Sequence, residues 1–182
     1  VEYQDKVSKS IDVAFKVDEQ SIDSVKTVFG FSENESIAFI IWTTTPWTIP
    51  SNVAVCINPD LEYTLIKIDN SYHIIADSMI ESCSDRWGIE VKKISTVKGH
   101  ELEDIDLIHP FIDRKSKLLH ADHVTTDAGT GCVHTAPAHG MDDFSICKKN
   151  NIQIIKALDS KGLFKEEIDF IAGLPPLKAD PL

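Results

Sequence analysis

Two stretches of this sequence gather side chains suited to chemistry rather than scaffolding. The first reads Trp42-Thr43-Thr44-Thr45-Pro46-Trp47-Thr48-Ile49-Pro50-Ser51-Asn52. It presents threonine hydroxyls at 43, 44, 45 and 48 and the Asn52 amide, flanked by two indoles. Pro46 and Pro50 have no backbone N–H, so the segment cannot lie mid-sheet and must be irregular chain leaving a strand. Two readings are open. One is a threonine-rich strand end with packed tryptophans. The other is a binding loop whose hydroxyls, each both donor and acceptor, position a polar substrate and a water.

The second stretch runs from Gly129 through Gly131, Cys132, His134, Pro137, His139, Gly140, Asp142 and Asp143 to Phe144. A glycine-flanked turn leads through a short strand and a Pro/Gly loop into a helix start. His134 at the strand end and Asp143 near the helix N-terminus can therefore face one cleft. A carboxylate at a helix start can also be a plain cap, a role that suits Asp142 better. A metal site on His134, His139 and an aspartate is disfavoured, because Pro137 and Gly140 deny the histidines a shared helical face. Cys132 has no evident activating charge and reads as a small buried apolar residue. No G-x-S-x-G elbow is present. What remains is non-covalent: a carboxylate to hold a cation, a histidine wall, and threonines to orient water.

The elements that must position these groups are mostly strands. Alternation at Ile11, Val13, Phe15 and Val17 predicts a half-buried strand, and 37–42 is a short apolar run that predicts a buried one. Strands are expected at 53–57, 63–68, 72–76, 91–97, 117–120, 123–126, 131–135 and 152–157, with turns at Asp69-Asn70 and 159–162. Ser21 opens a short helix closed by Gly30, Asp77 caps one closed by Gly88, and a third begins at Asp142 or Asp143 and ends at Lys149. The Pro175-Pro176 tail reads as a linker. Many short strands and few helices predict a mostly β fold, a barrel or sandwich core with peripheral helices.

Composition narrows the function. The 182 residues are enough for one domain with its own core. A formal net charge of −11 excludes a free-standing binder that grips nucleic-acid phosphates. No apolar run approaches the ~18–20 residues that cross a bilayer. The N-terminus has neither the basic nor the apolar region of a signal peptide, and without an initiator Met it reads as an excised piece. The four scattered cysteines predict free thiols in a reducing, cytoplasmic setting. Lys6-Val7-Ser8-Lys9-Ser10 imitates an ATP-contacting lysine-serine loop, but no His-Ile-Gly-His partner or phosphate-binding loop accompanies it.

Taken together, the Thr-Thr-Thr-Pro-Trp-Thr segment and the Gly-Thr-Gly-Cys-Val-His-Thr-Ala-Pro-Ala-His-Gly-Met-Asp-Asp-Phe segment resemble the editing domain of bacterial isoleucyl-tRNA synthetases. Valyl and leucyl relatives share the Gly-Thr-Gly and Pro-Ala-His frame. The resemblance covers nearly the whole chain. It implies a β-barrel-centred domain over 1–182, inserted in the catalytic fold of a parent synthetase (connective polypeptide 1), with 1–10 and 174–182 as connecting segments. It also implies hydrolysis of valine wrongly esterified to isoleucine tRNA. Asp143 then matches the aspartate that binds the substrate ammonium. His134 and Thr48, with Trp47 nearby, match the wall that admits valine and excludes isoleucine. Thr44 and Thr45 match the groups that position ester and water. Thr43 and Asn52 are supporting substrate-binding residues, and His139 and Asp142 are structural. No metal or cofactor is implied in this fragment, since ATP is used elsewhere in the parent. The implied partners are the 3′ end of mischarged tRNA and the remainder of the synthetase, around a monomeric domain. Two rivals are a binding module without turnover and a metal-dependent hydrolase on His134, His139 and Asp142.

Overall fold

The computed structural model describes residues 9–180. Lys6, Val7 and Ser8 of the lysine-serine segment, most of the 1–10 connection and residues 181–182 lie outside the described residues. The elements are β1 (Ile11–Val17), α1 (Ile22–Phe29), β2 (Ile37–Thr43), β3 (Ala54–Ile57), β4 (Glu62–Ile68), β5 (Ser71–Ala76), α2 (Ile80–Trp87), β6 (Lys92–Lys98), β7 (Asp106–Ile108), β8 (Lys115–His120), β9 (Val133–Thr135), α3 (Met141–Lys149) and α4 (Pro176–Ala179). A 3₁₀ segment, Pro46–Ser51, joins β2 to β3.

The strands form one mixed sheet in the order β6-β4-β5-β2-β1-β7-β8-β3-β9. The β2–β5 and β3–β8 pairs are parallel and the remaining neighbours antiparallel. β2 is apolar at every position from Ile37 to Ile41 because all five are buried, so no polar alternation survives. The main core gathers Phe15, Phe39, Ile41, Leu65 and Ile74, with Val25 and Phe29 of α1 on top. α1 and α2 end at Gly30 and Gly88 at φ +60° and +66°. There the next amides fold back on the last turn, Phe31 N–H to Lys26 O at 2.8 Å and Ile89 N–H to Ser84 O at 3.3 Å.

The expected barrel is an open sheet. β9 has three residues and pairs only with β3, leaving β6 and β9 as edges. The sheet nevertheless curls until the turn before β9 meets β5 and β2. Ala76 N–H donates to Thr130 O at 2.9 Å, and Thr130 Oγ1 donates to Ile40 O at 2.6 Å. This approach needs glycine: Gly131 sits at φ +74°, and a Cβ there would lie 2.3 Å from that of Ala76. Gly131→Ala should therefore destabilise the fold by about 2–4 kcal/mol, measured by denaturant unfolding.

Other expectations also change. Residues 123–126 form no strand, because the β3 ladder is exhausted once Ala121 N–H reaches Ile57 O. Asn58 Nδ2 instead donates to the Asp122 and Val124 carbonyls. Residues 152–157 are irregular: no strand presents a ladder to them among the described residues. Asp77 does not cap α2, since its carboxylate is taken by Thr64 Oγ1 and Lys93 Nζ. The Pro175-Pro176 tail is packed rather than extended. Ala179 joins Ala157, Phe164, Ile168 and Ile171 in a second core that carries Trp47 on its surface. Asp180 Oδ1 accepts the Trp47 N–H at 3.3 Å. No helix among the described residues is long and apolar enough to cross a membrane.

Candidate functional site at the meeting of the two motifs

β2 delivers Trp42 and Thr43 to the end of the sheet, and the chain then tightens. Thr43 Oγ1 accepts the Thr45 N–H at 3.0 Å, a local side-chain turn that starts the 3₁₀ segment. Proline at 46 suits the first helical position, where no N–H is needed. Thr44 is exposed, while Thr43 and Thr45 are half-buried. Thr48 is buried, and its hydroxyl donates to Thr45 O at 2.8 Å. The indole of Trp42 lies over Gly129, where an added Cβ would meet the ring at 3.3 Å. The two sequence motifs thus meet at their first residues.

They meet again at His134. Antiparallel pairing sets His134 of β9 opposite Val55 of β3. Its Nε2 lies 2.9 Å from Thr48 Oγ1 and its Nδ1 lies 2.8 Å from Asn52 Nδ2. Asn52 is fully buried, and its remaining polar contacts are to Ala54 O and Ser116 Oγ. Its side chain therefore stands behind His134, against the ring rather than at an open surface. Burial, with the imidazoles of His109 and His139 adding to it, pushes His134 down to about 3. It is therefore uncharged at neutral pH.

Asp143 sits in the first turn of α3, after an extended Gly140. Its Oδ2 accepts the Ala136 N–H at 2.7 Å, two residues past His134, which ties the Pro137–Gly140 loop to the helix start. Oδ1 has no protein hydrogen bond among the described residues, and Asp142 is exposed. One oxygen anchors and the other is free to accept. His139 turns elsewhere: its Nε2 is 2.9 Å from Ser51 Oγ, and its ring meets Trp47 edge-on at 5.0 Å. With His134 and His139 hydrogen-bonded to different partners, and no converging group of three His, Cys, Asp or Glu among the described residues, the metal alternative lacks a donor set. Cys132 is buried and its thiol is pushed up by desolvation, which removes it as a nucleophile. All four cysteines are free and buried.

Sequence reasoning missed the residues that brace this cluster from β8 and its approach. The guanidinium of Arg114 donates to Pro50 O at 2.8 Å and Asn52 O at 2.7 Å, closing the end of the 3₁₀ segment. His109 is buried and reaches Ile49 O at 2.9 Å. Its Nδ1 accepts the Ile112 N–H at 3.2 Å, and burial pushes it down to about 4. Long-range pairings of this kind leave no local spacing signal. An apolar groove of about 530 Å³ lies behind the same segment, lined by Ile11, Trp47, Ile49, Phe111 and Phe170. It contains none of the threonines at 43–45, nor His134 or Asp143.

These histidines set an acid response. Below pH 6.5 the unfolded chain protonates both, whereas the folded chain leaves His109 and His134 neutral until about 4 and 3. Stability is therefore complete above pH 6.5 and is lost as pH falls, by a few kcal/mol between about pH 6.5 and 4. Denaturant midpoints at pH 7 and 4.5 should show the drop, and His109→Gln should shrink it.

The chain matches the family model described as leucyl-tRNA synthetase, editing domain, over residues 10–170. It is 44% identical over 179 residues to an isoleucine–tRNA ligase of Macrococcus caseolyticus, covering 96% of this chain and 18% of that protein. It is 42% identical over 184 residues to the isoleucine–tRNA ligase of Legionella pneumophila, covering 99% and 19%. It thus spans about a fifth of the length of these relatives. Among solved structures, GlLeuRS-CP1 superposes with a TM-score of 0.66 at 16% identity, covering 80% of this chain and 66% of that one. A Plasmodium falciparum cytosolic leucyl-tRNA synthetase editing domain with two insertions deleted gives 0.65 at 12% identity, covering 96% and 94%.

Proposed function

Because this chain belongs to the editing-domain family of the leucyl- and isoleucyl-type aminoacyl-tRNA synthetases, we propose that it hydrolyses valine wrongly esterified to isoleucine tRNA. The observation that carries this reading is the fixed Thr48–His134 pair, followed two residues along the chain by the anchor of a carboxylate with one free oxygen. An aminoacyl ester always bears an α-ammonium, and Asp143 Oδ1 supplies the charge-assisted hydrogen bond that pins it and so orients the carbonyl. The hydroxyls of Thr44 and Thr45, with Thr43 bracing the turn, position ester and water at the mouth. Water adds to the ester carbonyl, and the ribose oxygen leaves with a proton to give free valine and uncharged tRNA. Both His134 nitrogens are engaged, so His134 serves as wall rather than as general base. Such an ester is already activated, so positioning and oxyanion stabilisation suffice.

The wall explains selectivity. A missing methylene is worth only about 1–3 kcal/mol in a synthetic pocket, a general value for which isoleucyl-tRNA synthetase is itself a standard example, so a second, smaller site must remove the errors. His134 and Thr48, with Trp47 alongside, admit valine and stop isoleucine. In this reading the domain is monomeric and works within a cytoplasmic ligase whose ATP-dependent site lies elsewhere. The tRNA body is gripped outside this acidic segment, which receives the 3′ end. The test is release of valine from charged isoleucine tRNA by this chain, above the spontaneous rate and unchanged by EDTA.

A further inference from the structure

The Asn52–His134 contact reaches further than substrate binding. We infer that Asn52, itself anchored by Ser116, is a positioning residue that fixes His134 as its Nε2–H tautomer and thereby sets the pocket wall at Thr48. The selectivity half of this inference rests on the editing function proposed above.

The direction of each bond follows from what its partner can do. Ala54 O can only accept, so the Asn52 group 2.7 Å from it is the NH₂ end. The Ser116 hydroxyl donates to the opposite end, Oδ1, at 2.7 Å. The second Asn52 N–H therefore points at His134 Nδ1, 2.8 Å away, which must accept. The imidazole proton is left on Nε2, where it donates to Thr48 Oγ1 at 2.9 Å. Thr48 passes its own hydrogen to Thr45 O at 2.8 Å. Asn52 and Ser116 are both fully buried, so water cannot replace either partner. Arg114 holds the Asn52 carbonyl and fixes the backbone from which the amide projects.

A proton on Nδ1 would reverse the series. Nε2 would become an acceptor, Thr48 would turn its hydrogen to the ring, and the Thr45 carbonyl would be released. The Thr48 rotamer, and with it the wall, would no longer be unique. A buried polar network specifies one arrangement only while every member is satisfied.

The test is ring ¹⁵N NMR of the 182-residue chain, with His134 assigned through His134→Gln. The expected spectrum has a protonated Nε2 and an unprotonated Nδ1, unchanged between pH 5 and 7.5. Asn52→Asp replaces the donor with an acceptor of the same shape. It should place a proton on Nδ1 and reduce the preference for valine over isoleucine release by roughly tenfold, the scale of one lost hydrogen bond. Ser116→Ala, a milder change that guards against misfolding, should blur the tautomer signal and reduce the preference by a few-fold. A protonated Nδ1 in the unsubstituted chain overturns the positioning role. So does an unchanged preference in both folded variants. A chain that releases neither amino acid counts against the editing function, and the tautomer measurement then decides the positioning role alone.

Discussion

Asp143→Ala should slow release of valine from mischarged isoleucine tRNA by roughly ten- to a hundredfold. Charged hydrogen bonds are worth about 1.5–3 kcal/mol, and each 1.36 kcal/mol expressed in the transition state is tenfold in rate. The alanine variant also frees the Ala136 N–H, now held at 2.7 Å, and so loosens the Pro137–Gly140 loop. Asp143→Asn separates the two effects. Its amide oxygen can keep the Ala136 bond while its charge is gone. If binding the ammonium is the role of Asp143, the Asn variant should lose most of the activity and keep the unfolding midpoint. An Asn variant with full activity would move Asp143 from the chemistry to the scaffold.

His134→Ala should change specificity more than rate. Removing the ring leaves a space between Asn52 and Thr48, which now hold its two nitrogens at 2.8 and 2.9 Å. Isoleucine exceeds valine by one methylene, so the space should admit it. Isoleucine release should climb toward the valine rate, erasing a discrimination on the order of 10- to 200-fold. The readout is hydrolysis of correctly charged isoleucine tRNA, on which the unsubstituted chain should be nearly inert. Loss of valine hydrolysis with no gain on isoleucine would contradict the sieve. With His134 neutral across this range, the pH profile of hydrolysis between 5 and 8 should carry no step from its titration.

The chain displays its strands and helix ends well because those signals are local. The alternation of β1, the apolar run of β2 and the glycine stops of α1 and α2 each follow from neighbouring residues. Residues 152–157 have strand-like side chains but no neighbouring edge, and only the tertiary arrangement decides that. The same limit applies to closure of the sheet, since a three-residue β9 is too short to complete a ladder. At the site, the types and spacing of Thr48, His134 and Asp143 were legible. The β8 contribution was not: Ser116 and Arg114 lie 64 and 62 residues from Asn52. They look like ordinary polar positions until the parallel β3–β8 pairing brings them to Asn52. The contact of Asn52 with His134 is not legible either, because sequence does not say which side chain a distant amide meets.

The central claim is that this chain releases valine and spares isoleucine without a metal. It is tested most directly by following both amino acids in one reaction, from valine- and isoleucine-charged isoleucine tRNA, with and without EDTA. Preferential release of valine at the same rate in EDTA is the predicted result. Equal release of both amino acids, or activity that EDTA abolishes, would contradict it.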